Sequence, residues 1–117
     1  MKAVIRSQHS LDVDLAGYES ADPADDGLWV RMIIGPSDGP GEESFDVLVC
    51  TPAWLARVVH EHGPQIGRHH LVVERWVADD VKDFLRSQVE RLDEPTWHEL
   101  ALKIGRIGIW EFEDYTR

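Results

Sequence analysis

The chain has 117 residues, 43% of them hydrophobic, which suits a single folded domain spanning 1–117 with a core of its own. A formal net charge of -10, from 22 acidic and 12 basic residues, argues against nucleic acid or an anionic membrane as partner. The lone Cys50 excludes an intrachain disulfide, no apolar run nears the ~20 residues of a membrane span, and Met1–Arg6 is too short an apolar start for a signal peptide, so the expected location is the cytoplasm.

Residues 2–7 are short and β-branched and predict a first strand. Residues 8–26, with Asp12, Asp14, Asp22, Asp25, Asp26, Pro23 and Gly17, read as a long acidic loop. In Leu28–Ile34 a second strand puts Leu28, Val30, Met32 and Ile34 on one face and Trp29, Arg31 and Ile33 on the other. Gly35–Gly41 reads as a hairpin loop returning the chain, antiparallel, into a strand over 44–50, where Phe45, Val47 and Val49 alternate. Thr51 can cap a helix over 52–62, with Pro52 in its first turn and Gly63-Pro64 as its stop. Its apolar stripe is Trp54, Leu55, Val58, Val59 and His62.

Residues 69–77 predict a further strand. Asp79 or Asp80 can cap a second helix over about 80–92, whose inward stripe would be Val81, Phe84, Leu85, Val89 and Leu92, with Arg86 and Glu90 paired outside. Thr96 and Glu99 form a capping box for a third helix that ends at Gly105, with Trp97, Leu100, Ala101 and Ile104 inward. The tail 107–115 reads as extended chain and a candidate added strand. The expected class is α+β, an antiparallel sheet of about four strands with three helices packed on one face.

Few residues suggest chemistry. His60 and His62 diverge around a helix, and His69 and His70 point to opposite sides of a strand, so neither pair has the i, i+4 spacing of a zinc helix. Cys50 precedes a helix N-terminus, where a thiolate is favoured, but nothing fixes a base beside it, and a small buried residue is the ordinary fate of a lone cysteine. No catalytic group, metal site or cofactor is therefore expected, and the chain is not expected to be an enzyme. The rival reading is a small metal-binding or thiol enzyme built on Cys50 and the histidines.

Three stretches resemble the immunity protein 8 family: Met1-Lys2-Ala3-Val4-Ile5-Arg6-Ser7, Glu43-Ser44-Phe45-Asp46-Val47-Leu48-Val49-Cys50-Thr51-Pro52-Ala53-Trp54-Leu55, and Trp110-Glu111-Phe112-Glu113-Asp114-Tyr115. Such proteins are encoded beside secreted polymorphic toxins in bacteria. The resemblance implies a cytoplasmic, non-catalytic domain that binds and neutralises a cognate toxin domain by occlusion. A binding module for some other basic protein is the alternative.

Charge then suggests where such a partner sits. Residues 1–50 carry ten acidic and three basic residues, a net of -7. Aromatics alternate with acids at the C-terminal end, a composition suited to gripping a basic, partly apolar partner. The expected partner-binding residues are Asp25, Asp26, Glu42 and Glu43 in the loops, and Trp110, Glu111, Glu113, Asp114 and Tyr115 in the tail.

Overall fold

A computed structural model describes residues 1–114. Tyr115 lies outside the described residues. The order of elements is β1 (Ala3–His9), β2 (Gly27–Pro36), β3 (Glu43–Cys50), α1 (Pro52–His62), β4 (His70–Val72), α2 (Ala78–Glu90), α3 (Trp97–Ile104) and β5 (Ile109–Trp110). The class is α+β, as expected. The sheet is mostly antiparallel, in the order β1-β2-β3-β4, and β5 joins it by pairing with β3.

Strand β3 organises this sheet. It pairs antiparallel with β2 from Gly27–Cys50 to Ile34–Glu43. Outside that ladder, β4 pairs parallel with its Leu48–Cys50 end, and β5 pairs antiparallel with Phe45 and Asp46. The alternation read from sequence holds in both central strands. Leu28, Val30, Met32, Ile34, Phe45, Val47 and Val49 are all buried on one side. Helix α2 adds Val81, Leu85 and Val89 to that side, and α3 adds Leu100, Ala101 and Ile104. At about 25 cal/mol per Å² of apolar surface, each of the larger of these side chains contributes about 1.5–3 kcal/mol before entropy is subtracted.

Helix α1 departs from that layer. Its bounds and Thr51 cap match the sequence reading, with the Trp54 N–H donating to Thr51 Oγ1 at 3.4 Å and Gly63 closing the helix at φ 89°. Yet none of its residues is buried, and Val59 and His62 of the expected stripe are exposed. Trp54, half-buried, lies over Gly27, whose strand position shares the side of Trp29 and Arg31, opposite the core. A Cβ on Gly27 would come within 2.3 Å of the indole, so only glycine admits the ring there.

Other expectations are also revised. Only residues 70–72 of the expected 69–77 strand pair with the sheet, because the chain then turns to tuck Trp76 inward. Trp76 is 1% exposed, its indole N–H donates to the Val49 carbonyl at 2.8 Å, and its ring meets Tyr18 edge-on. Helix α2 starts at Ala78 behind Val77, and no side chain caps it among the described residues. Asp79 and Asp80 sit in its first turn, favoured there by the helix dipole. Phe84, placed inward by the stripe, is 47% exposed. The α3 cap is present, with Glu99 N–H donating to Thr96 Oγ1 at 3.2 Å.

Helix α2 also lies along the outer edge of β1. Glu90 accepts the Ile5 N–H at 3.2 Å, and Gln8 donates to the Lys82 carbonyl at 3.1 Å. The first contact occupies a backbone N–H that an open edge strand would offer to another chain, and the second ties the helix to the strand through the Gln8 side chain. The β1–β2 register shifts between Ile5 and Ser7, a bulge on the same edge.

Two tryptophans should respond differently to truncation. Trp76→Ala should cost about 3–5 kcal/mol in denaturant titration, and Trp54→Ala clearly less, because the latter removes a half-buried ring from a helix outside the core. Gly27→Ala should destabilise the wild-type chain, and its cost should shrink in the Trp54→Ala background, a coupling that a double-mutant cycle measures.

Candidate functional site

The carboxylates singled out by sequence fall into two groups at opposite ends of the β2–β3 pair. At about 3.3 Å per residue, the ladder from Gly27–Cys50 to Ile34–Glu43 separates them by roughly 23 Å. The fold therefore does not gather Asp25 and Asp26 with Glu42 and Glu43 into one patch.

At the first end, Asp26 is half-buried and works as an internal knot. It accepts the Tyr18 hydroxyl at 2.5 Å, the Ser20 hydroxyl at 2.7 Å and the Gly27 N–H at 2.8 Å, while its own N–H donates to Thr51 Oγ1 at 3.1 Å. The long loop is thus tied to the sheet. It also sends Leu15 into the core and pairs Glu19 with Val77 in an isolated bridge. Burial, then the hydrogen bond and charge of Asp26, hold the Tyr18 phenol above its ordinary pKa. Asp25 is also half-buried, at the rim, and pairs with Arg57 of α1 at 2.7 Å.

At the second end, the tail turns back across β3. Trp110 is 9% exposed and stacks on Phe45, the ring centroids 6.3 Å apart and the planes 9° from parallel. Its indole N–H donates to Glu43 at 2.5 Å. Trp110 thus pins the tail to the core, and Glu43 serves that pin. Glu111 accepts the Ser44 N–H at 2.7 Å, and Glu113 holds Arg68 through two bonds of 2.6 and 3.1 Å. Glu42 stands 3.9 Å from Arg6, and Asp114 is exposed. Beside this tail, Arg68, His98, Leu102, Arg106 and Phe112 line a groove of about 340 Å³.

The histidines and the cysteine take structural positions. His69 is buried, in the left-handed region at φ 64°. Its Nε2–H donates to the Gly105 carbonyl at 2.6 Å, and its own carbonyl accepts the Leu48 N–H at 2.9 Å, so it ties β3 to the end of α3. His60 and His62 are exposed. Cys50 is fully buried, and burial pushes its thiol up, opposite to the activation that a helix N-terminus would give. Among the described residues, no group of three His, Cys, Asp or Glu side chains is placed to hold a metal.

Sequence reasoning missed the aromatic and apolar residues that the fold leaves in water. Phe84, Val77, Trp29 and Leu102 are each between 39 and 52% exposed. The signal for Phe84 was available: it sits at the margin of its helical stripe, between Val81 and Leu85, which both reach the core.

What the surface offers is carboxylates, guanidinium groups and exposed apolar side chains. The family model described as Immunity protein 8 matches residues 3–115, and the chain belongs to that family. No curated protein and no solved structure matches it. Membership makes this a protein of the class that confers immunity against a toxin.

Two predictions follow from this geometry. Tyr18 holds its proton above the ordinary value of 10.0, so its contribution to stability is complete below that pH and is lost as pH rises through its folded-state value. Tyr18→Phe should be less stable than wild type near neutrality, and the difference should narrow above pH 10, read by chemical denaturation across that range. Cys50 should resist alkylation in the native chain and react at an ordinary thiol rate once unfolded, read by mass spectrometry along a urea series.

Proposed function

We propose that this chain protects its cell by binding one cognate toxin domain and covering the surface that the toxin uses, in the cytoplasm and without catalysis of its own. The observation that carries the reading is the family match over nearly the whole chain. The net charge of -10 supports a basic toxin surface as the partner. Occlusion needs tight complementary contact, not a reacting group, and the fully buried Cys50 is poorly placed to be one.

Within this reading the tail end of the sheet contributes steering charge. Glu42, Glu111, Glu113 and Asp114 lie toward one end of the β2–β3 pair, and each keeps lone pairs in water even where it holds an internal partner. Asp25 and Asp26 belong to a separate patch, of which Asp25 is the more accessible. Trp110 acts by fixing the tail that displays these acids, and direct contact falls to the exposed side chains around it.

The test is binding of the purified chain to the toxin domain encoded beside it, together with growth protection when both are co-expressed. Reversing Glu42, Glu111 and Asp114 should slow association and flatten its salt dependence, with dissociation little changed. Trp110→Ala should lower stability by about 3–5 kcal/mol and weaken binding through that loss. Absence of binding and of protection by the wild-type chain would overturn the proposal.

A further inference from the structure

We infer that the corner where the β4–α2 connection meets α2 is a docking surface for a segment of the toxin that presents an apolar side chain flanked by lysine or arginine. The inference rests on the proposed function above and names the surface and the chemistry of the contact.

The corner holds an open groove of about 580 Å³ walled by Val73, Val77, Val81 and Phe84. Phe84 is 47% and Val77 40% exposed, although α2 has a fully buried stripe one residue away. An exposed phenylalanine beside an exposed valine, at the mouth of an apolar groove, has the composition of an interface centre. Beyond Val77 a second, smaller hollow of about 230 Å³ continues the surface past Ala78 to Tyr18 and Gly17.

Charge identifies the occupant. Glu74 and Asp80 line the main groove, and Glu19 and Asp79 line the smaller hollow. None of these four carboxylates has an ion-pair or side-chain hydrogen-bond partner among the described residues. Most of the sequence-selected acids differ: Asp25, Asp26, Glu43, Glu111 and Glu113 hold internal partners and Glu42 stands beside Arg6, while Asp114 alone among them is, within the described residues, as free as these four. The dipole of α2 accounts for Asp79 and Asp80 in its first turn. It does not account for Glu74 and Glu19 outside the helix, or for Phe84 in water. Among the described residues, Arg75 is the one cation lining the groove. A second copy of this chain would bring like charges together, so a cationic partner fits better.

The experiment uses the full chain and the toxin domain encoded beside it. Phe84→Ala should speed dissociation roughly tenfold or more. The double charge reversal Glu74→Lys with Asp80→Lys should slow association several-fold at low salt and flatten the salt dependence. Phe84→Ala should unfold close to the wild-type denaturant midpoint, since the ring is exposed, and the double reversal somewhat below it, because Asp80 leaves the favourable first turn of α2. Wild-type-like kinetics in both variants, with the wild type binding, would overturn the inference and leave the proposed function standing. A wild type that does not bind would overturn both. Concentration-dependent dimerisation abolished by Phe84→Ala would reassign the corner to self-association and equally overturn the inference.

Discussion

Everything in this fold is referred to strand β3. Its inward row Phe45, Val47 and Val49 is the floor of the core, and its outward Leu48 and Cys50 are buried as well. One edge is spent entirely on β2, and the other is shared between β4 and β5. A strand buried on both faces toward one end cannot shift register without carrying apolar residues into water and polar ones into the core. The elements that pair with it therefore inherit fixed positions. Trp110 lies over Phe45, Trp76 donates to the Val49 carbonyl, and His69 accepts from the Leu48 N–H.

That constraint sorts the acidic residues into two populations. Those next to β2 and β3 are drawn into positioning work: Asp26 ties the long loop, Glu43 holds the indole of Trp110, and Asp46 grips Arg31 through two bonds of 2.8 and 2.9 Å. Glu90 is spent along the β1 edge. Those at the start of α2 and in the connection before it are left facing water. Net charge alone cannot distinguish these populations, because a carboxylate held by several donors and one held by none count equally. Exposed pairs such as Arg57–Asp25 add little to stability, whereas a knot of several hydrogen bonds at a half-buried carboxylate orders a segment that has no regular structure of its own.

The legible part of the fold was the part written in local period and punctuation. The alternation in β2 and β3 and the Thr-Pro and Thr-x-x-Glu starts of α1 and α3 each depend on residues a few positions apart, and all were readable. What was not readable depends on partners far along the chain. The stripe of α1 has helical period, but nothing local says that Gly27 opens a seat for Trp54 on the side away from the core. β4 has strand composition over nine residues, yet pairing stops after three because Trp76 must reach Val49. For the candidate site, the sequence identified the acids but not which of them the fold would occupy. It named Trp110 for contact with a partner, and the structure shows the ring 9% exposed and stacked on Phe45, where it fixes the tail.

The distinction between occupied and idle groups bears on how an immunity protein of this kind achieves affinity for a toxin. Binding energy concentrates where a few side chains become fully desolvated against a partner, and charged rims chiefly set the rate of encounter. A residue already stacked in the core or held by internal hydrogen bonds has little further surface to lose. A phenylalanine at 47% exposure still has much of its burial to gain. The rigid frame around β3 also lowers the entropic cost of presenting such residues, since their backbones are held by elements that packing has already ordered. On the proposed reading, close contact falls to side chains that the fold itself leaves unused, and the engaged acids at the tail end add charge to the encounter without anchoring it.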